Sequence, residues 1–414
     1  MVATSYDCLV MGAGPAGSTC AALVAEAGLR TLLVERDKMP RFHVGESLMP
    51  ETYWTFQRLG ILGDIRQMQF IKKNGVQFVS SEDKESKPFF FAEHDDRPCA
   101  QTWHVNRAEF DQLLFDTCLK RGVTTSDETS VTDIELRKQS PHLVTVKFSN
   151  GKTQRISAKI VVDATGQQSL IANRNQLKRV NPNLKKAAIW SYFENGVVNG
   201  GGNPEVTCIL HTRSKDAWFW YIPLHDGTVS VGLVGDNDFV LKRGQSPEQT
   251  FQEEMENCPG LQRRLRDAAC VSRYHVAKEF SYTTQQASGP GWVLIGDAYG
   301  FIDPIYSSGV FFAMKSGELA ADCITESFYR NDLSAESLGR WTGGFEDGVK
   351  WVRKLVDAFY TREFSFGEFM KEYPQHAGNL TDLLIGRVFD GNPGAMFEDL
   401  DRWLEQTKSQ AATV

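Results

Sequence analysis

A short apolar run, Tyr6 to Met11, stops at Gly12-Ala-Gly14-Pro-Ala-Gly17 and gives way to an Ala-rich stretch that closes at Gly28. Strand, glycine turn and helix in that order commit the start of the chain to a βαβ unit on a parallel sheet. The first glycine permits a tight turn, the second lets a pyrophosphate approach the backbone, and the third lets helix and strand pack closely. The helix amides and dipole then face the phosphates. A second strand, 30–35, ends in Glu35, 23 residues after Gly12, where a carboxylate accepts a hydrogen bond from a ribose hydroxyl. The nucleotide set is therefore Gly12, Gly14, Pro15, Ala16, Gly17, Glu35 and the adjoining Arg36. Only one such fingerprint is present, so one dinucleotide is held tightly.

Composition removes several classes. The net charge of −7 and the lack of a basic block argue against nucleic-acid binding. No apolar run approaches the roughly 18 residues that span a bilayer, and the N-terminus enters a strand without a basic, cleavable leader. The eight cysteines are scattered with no Cys-x-x-Cys pair, and the eight histidines show no metal spacing. The expectation is a cytoplasmic protein with reduced thiols and no metal site.

Pattern sets the architecture. Helices are expected at 15–28, at Pro50–Leu59 before Gly60, and at Arg107–Lys120 before Gly122. Leu143–Ser149 and Lys152–Ile156 flank Asn150-Gly151, which reads as a hairpin with a type I′ turn. Ile160–Asp163 reads as a separate buried strand. From about 187 to 234 the pattern is all strand: Ala188–Phe193, Val206–Thr212, Ala217–Pro223 and Thr228–Val234. Another buried strand then ends in Gly296-Asp297, and helical segments run from about 308 onward. The fold expected is α/β, a Rossmann-like nucleotide domain with an inserted antiparallel sheet and a helical C-terminus.

Val161-Val-Asp163-Ala-Thr-Gly166 together with Gly296-Asp297 resembles the conserved pieces of the FAD-dependent monooxygenase superfamily, of the glutathione reductase and p-hydroxybenzoate hydroxylase type. The resemblance implies that Asp297 binds the ribityl chain and Arg107 lies on the flavin side, with Arg41, Glu46 and Ser47 lining the isoalloxazine. Trp218-Phe-Trp220-Tyr-Ile222-Pro223, Phe301-x-x-Pro304-x-x-Ser307-x-Gly309 and Lys73-x-Gly75-x-x-Phe78 further resemble the signatures of flavin-dependent halogenases. Trp190-Ser-Tyr-Phe193 is also similar. The likeness is to the branch acting on phenols and pyrroles, because Tyr306 stands where the free-tryptophan enzymes carry a glutamate.

That resemblance divides the chain as follows: 1–80, 106–180 and 286–330 are FAD-binding parts, 81–105 and 181–285 belong to the substrate sheet, and 331–414 is a helical C-terminal region. It implies an enzyme supplied with reduced FAD by a separate NAD(P)H-dependent flavin reductase. Reduced FAD and O2 would give a C4a-hydroperoxide, which chloride or bromide attacks to form hypohalous acid. The acceptor would be a small electron-rich aromatic, free or tethered to a carrier protein.

Each motif carries a physical role consistent with that chemistry. The amides of Ser308 and Gly309, at a helix start, form a halide site without a cationic side chain, and Val310 continues toward the flavin. Lys73 either donates a hydrogen bond to hypohalous acid or is halogenated on nitrogen, in a channel between flavin and substrate. Trp218 and Trp220, with Pro223, Pro304 and Ser307, wall the flavin from the acceptor. Asp303 is either a flavin-edge carboxylate or the cap of the following helix. The rival readings are a polyprenyl-lipid reductase, an aromatic hydroxylase and a non-enzymatic flavin sensor. Trp218, Ile222 and the Ser-x-Gly loop favour the halogenase over the first, and the Trp wall opposes direct oxygen transfer in the second.

Overall fold

A computed structural model describes residues 4–197, 205–242, 244–278, 281–361, 364–390 and 392–411. Two eight-stranded sheets organise it. The first has a parallel centre, in the order Trp292–Leu294, Thr153–Asp163, Thr4–Met11, Thr31–Val34 and Thr124–Ser126. Its central strands are buried on both faces, as helix-covered parallel strands must be. Helix Pro15–Glu26 and the long helix Ser308–Tyr329 pack together on one of those faces.

The glycine turn behaves as its spacing requires. Gly12 has φ +101°, and a side chain there would meet the Ala164 carbonyl at 2.4 Å; one at Gly17 would meet the Gly12 carbonyl at 1.9 Å. Strand and helix therefore approach more closely than any other residue allows.

Two local expectations are corrected. Thr153–Asp163 is one continuous strand: its first half pairs antiparallel with His142–Phe148 and its second half parallel with Thr4–Met11. Ser157-Ala-Lys at its middle breaks the apolar pattern without breaking the backbone, because neighbours exist on both sides. The hairpin turn is not type I′, which needs two successive residues at positive φ. Gly151 alone has φ +79°, and Phe148 N–H donates to the Lys152 carbonyl at 2.9 Å across a three-residue loop.

The second sheet is antiparallel at its centre, Lys186–Glu194, Thr228–Asp236, Ala217–Pro223 and Val206–His211. Strand Gly75–Val79, grouped above with residues 1–80, pairs parallel with Val206–His211 and so lies in this sheet. Ala217–Pro223 shows why the sheet matters. Trp218, Trp220 and Ile222 point into the core shared with the nucleotide domain, whereas Ala217, Phe219 and Tyr221 enter a separate core on the other face. Helices from 335 to 411 complete the molecule. Among the described residues no helix is long and apolar enough to cross a membrane, and no group of His, Cys, Asp or Glu is arranged to hold a metal.

Candidate active site

One cavity of about 510 Å³ joins the glycine turn to the Trp218–Trp220 strand. Gly14, Pro15 and Ala16 line one end, where the first amides of helix Pro15–Glu26 open toward the cavity. Glu35 and Arg36 line the same region. The Glu35 carboxylate accepts from Ala13 N–H at 2.9 Å and Asp37 N–H at 3.1 Å. It thus fixes the turn as well as facing the cavity, and it retains acceptor capacity for a ribose hydroxyl.

Asp163 builds the neighbouring wall. Its carboxylate accepts from Thr165 N–H, Thr165 Oγ1 and Ile171 N–H at 3.0, 2.6 and 2.7 Å, and the turn it holds exposes Ala164, Thr165 and Gly166 to the cavity. Asp297 faces the same space; burial raises its carboxyl to about 7, against the lowering influence of Arg107 and Lys178.

Arg41 and Arg107 both line the cavity and share one buried carboxylate, Asp111. Arg107 donates to it through Nε and Nη2 at 3.0 and 3.1 Å, and Arg41 through Nη1 at 2.9 Å. Asp111 was not singled out from sequence, although the i, i+4 spacing of Arg107 and Asp111 was legible. Glu46 lines the cavity with its carboxylate on the Tyr192 hydroxyl at 2.5 Å; burial raises its pKa, and that hydrogen bond opposes the rise. Ser47 lines it too, its hydroxyl 2.8 Å from Thr207 Oγ1.

At the far end Pro304, Ser307, Gly309 and Val310 meet Trp218, Trp220 and Trp190 around the cavity. Ser307 precedes the 22-residue helix with a left-handed φ of +58°, which turns the first helical amides out of the preceding loop. Ser308 is buried and lines a small adjoining cavity of about 30 Å³ rather than the main one; Gly309 lines both. Trp218 and Trp220 lie 6.4 Å apart between ring centroids, with Trp190 6.3 Å from Trp220. Pro223 is buried at the end of the strand and does not line the cavity.

Asp303 is neither a flavin-edge carboxylate nor a helix cap. It is 1 % exposed, accepts from Ile305 N–H at 2.9 Å and from the Tyr360 hydroxyl at 3.0 Å, and braces the loop before Ser307. Tyr360 also accepts from Trp218 Nε1 at 3.1 Å. Nothing local in the sequence marks Tyr360, since its partners are 142 and 57 residues away.

Lys73 stands outside the flavin cavity. It is 1 % exposed, donates through Nζ to the Leu48 carbonyl at 2.8 Å, and lies 5.8 Å from the Phe91 ring centroid. Burial alone brings its pKa down to about 7.

Cradle, helix start, ribose acceptor and Asp297 line one continuous space, so the residues present fit FAD. Known proteins agree. The family described as tryptophan halogenase matches residues 92–365, and that described as FAD dependent oxidoreductase matches residues 7–175. The chain belongs to the tryptophan halogenase family of FAD-dependent enzymes. It is 29 % identical to a 1H-pyrrole-2-carbonyl-(peptidyl-carrier protein) chlorinase of Pseudomonas fluorescens, over 97 % of this chain and 92 % of that one. It is 30 % identical to the corresponding brominase of Pseudoalteromonas luteoviolacea, over 93 % of each. Among solved structures, the flavin-dependent brominase Bmp2 superimposes with a TM-score of 0.86 at 28 % identity, covering 97 % of this chain and 100 % of that one.

Proposed function

We propose that this enzyme is a two-component flavin-dependent halogenase that chlorinates or brominates an electron-rich aromatic ring of the pyrrole or phenol type. The observation that carries the reading is one cavity whose two ends are a dinucleotide cradle and a tryptophan wall, with a helix N-terminus opening between them. A hydroxylase needs its acceptor against the flavin; a wall of Trp218, Trp220 and Trp190 denies that approach. The alternative of a polyprenyl-lipid reductase meets the same obstacle.

Bound reduced FAD, with O2 and halide, supplies the oxidising equivalent as hypohalous acid. The protein's own groups do the rest. Gly12, Gly14, Pro15, Ala16 and Gly17 hold the pyrophosphate, Glu35 with Arg36 the ribose end, and Asp297 the ribityl chain. Arg41, Arg107, Glu46 and Ser47 fix the ring system. The Ser308 and Gly309 amides hold the halide, and Val310 closes that side. Trp218, Trp220, Pro304 and Ser307 keep the acceptor away, and Pro223 ends the strand that carries the two indoles. Lys73 meets hypohalous acid on the acceptor side, by hydrogen bond or by transient N-halogenation. With a pKa near neutrality, both its ammonium and amine forms are populated at pH 7. Attack by a ring carbon on the halogen then forms C–X, breaks O–X or N–X, and releases the ring proton.

A pyrrole carried on a peptidyl carrier protein is the favoured substrate class, because the relatives so named match this chain over nearly their full length. With one dinucleotide fingerprint, reduced flavin comes from a separate NAD(P)H-dependent reductase. The eight cysteines are scattered without a Cys-x-x-Cys pair, which supports a cytoplasmic setting with reduced thiols.

The test supplies chemically reduced FAD, bromide and a panel of carrier-bound pyrroles and free phenols, and looks for bromine isotope doublets by mass spectrometry. Brominated product is expected, and Lys73→Ala abolishes it while flavin binding persists. Hydroxylated product in its place, or NADPH oxidation by the protein alone, refutes the reading.

A further inference from the structure

Ser308 turns toward the small cavity of about 30 Å³ and not toward the flavin cavity. It is 2 % exposed, and its hydroxyl makes no hydrogen bond among the described residues. A hydroxyl buried to that degree ordinarily has a partner, and the space beside it exceeds the roughly 10–15 Å³ that a water-sized guest needs. The start of helix Ser308–Tyr329 opens on the same space, and Gly309 lines both cavities. Unsatisfied amides at a helix start favour an anion as that guest.

The lining grades outward. Ser308, Phe312 and Phe345 are buried, whereas Gly300, Glu346 and Arg353 are half-buried. Glu346 and Arg353 stand seven residues apart on helix Thr342–Phe359, two turns along one face. Their partners differ. The Glu346 carboxylate accepts from the Tyr299 hydroxyl. Arg353 makes no hydrogen bond or ion pair among the described residues, so its guanidinium is available to an incoming anion. The other carboxyl, Asp297, lines both cavities; burial raises it to about 7, against Arg107 and Lys178, so near neutral pH its charge is only partly developed. Between the two cavities stand Gly309 and the Phe301 ring, which line both, and a Cβ on Gly309 would meet Phe301 Cε2 at 3.0 Å. A glycine at 309 leaves that partition one side chain thick.

We propose that the small cavity is a halide port. Chloride or bromide enters past Arg353, rests on the Ser308 hydroxyl, and reaches the Gly309 amide from the side away from the acceptor. The port, which rests on the reading of Ser308 and Gly309 as the halide site, lets an ion consumed at each turnover be replaced while FAD fills the main cavity and the tryptophan wall closes its far end. No covalent bond forms or breaks along this route. Arg353 draws the anion in by its charge, as a cleft lined by one sign of charge concentrates its counter-ion. The Ser308 O–H then donates to it.

Crystals of the FAD-loaded protein soaked in bromide at its KM, with anomalous data collected at the bromine edge, locate the ion directly. A peak within hydrogen-bond reach of Ser308 Oγ in the small cavity is expected, weakened in Arg353→Met. In turnover with reduced FAD and acceptor, Arg353→Met is expected to lower kcat/KM for bromide about tenfold, and the effect falls on KM rather than on kcat. Arg353→Glu, the second variant, lowers it further, and Arg353→Lys restores most of it. No peak in the small cavity overturns the port. So does a peak with wild-type kcat/KM in both charge variants, which is an adventitious ion only, and so does a loss confined to kcat. If the wild-type protein halogenates no acceptor, the halogenase reading falls and the port with it. If it halogenates and the charge variants match it, only the port falls.

Discussion

The indole N–H of Trp218 donates to the Tyr360 hydroxyl at 3.1 Å, and the same hydroxyl donates to Asp303 at 3.0 Å. A tryptophan of the wall, the loop that starts the proposed halide helix and the first residue beyond helix Thr342–Phe359 are thus held at one oxygen. Tyr360→Phe keeps the ring, over which Lys186 Nζ sits at 3.9 Å, and deletes that oxygen. Two buried groups then lose partners, at about 1–3 kcal/mol each. A lower melting temperature is expected, together with less halogenated product and more H2O2 per reduced flavin. Unchanged coupling would show that Trp218 needs no anchor.

The wall has a second support in Gly232, which opposes Trp220 across the strand pair. A Cβ there would lie 2.1 Å from the Trp220 ring, too close for any rotamer adjustment of the glycine site itself. Gly232→Ala is expected to displace the indole, to cost about 1–3 kcal/mol as overpacking, and to change the near-UV circular dichroism. Coupling of reduced flavin to halogenation should fall with it. A variant matching wild type in spectrum and coupling rules out the packing argument.

How much of this was legible beforehand follows from the range of each interaction. Gly12, Glu35 and the helix Arg107–Lys120 were readable because their causes are local: a turn, a strand end, apolar periodicity and a stop at Gly122. The alternation of Ala217–Pro223 was readable for the same reason, and both faces proved buried. The turn at Asn150-Gly151 misled because Asn150 does not adopt positive φ, a choice set by the strand lengths on either side. Asp303, Tyr360 and Thr207 were not assigned roles from sequence because their partners come from other sheets and helices. Lys73 was found by motif, yet its closed surroundings depend on Leu48 and Phe91.

Asp111 holds two arginines of the flavin cavity, Arg41 and Arg107, and is itself fully buried. Asp111→Asn keeps the shape but removes the charge between the two guanidinium groups; Arg41 keeps the Glu35 carboxylate at 3.5 Å, whereas Arg107 loses its ion pair, at about 3–5 kcal/mol. FAD affinity, measured by quenching of flavin fluorescence, is expected to fall at least tenfold. Arg107 presents its other edge to the Val44 carbonyl at 2.5 Å, so the loop bearing Glu46 and Ser47 should loosen as well. Wild-type affinity would move Arg107 out of the cofactor site.

Lys73 and Asp297 give opposite pH signatures in the flavin-free protein. The Lys73 pKa falls from 10.5 in the free side chain to about 7 on burial, so the folded state binds its proton less tightly than the unfolded one. Its stability contribution is complete above 10.5 and is lost as pH falls toward 7. The Asp297 carboxyl moves the other way, from 3.8 to about 7, and its contribution is lost as pH rises across that window. Lys73→Met removes only the first effect. Near pH 7 it is expected to be the more stable protein, by on the order of a few kcal/mol, because a buried ammonium is replaced by an apolar chain of similar length. The gap should close as pH rises toward 10.5, where the wild-type amine is already neutral. Melting temperatures of the two proteins between pH 6 and 10 measure it. A gap that stays constant would mean that Lys73 titrates at its ordinary value, and the neutral amine invoked for halogen transfer would then be scarce at pH 7.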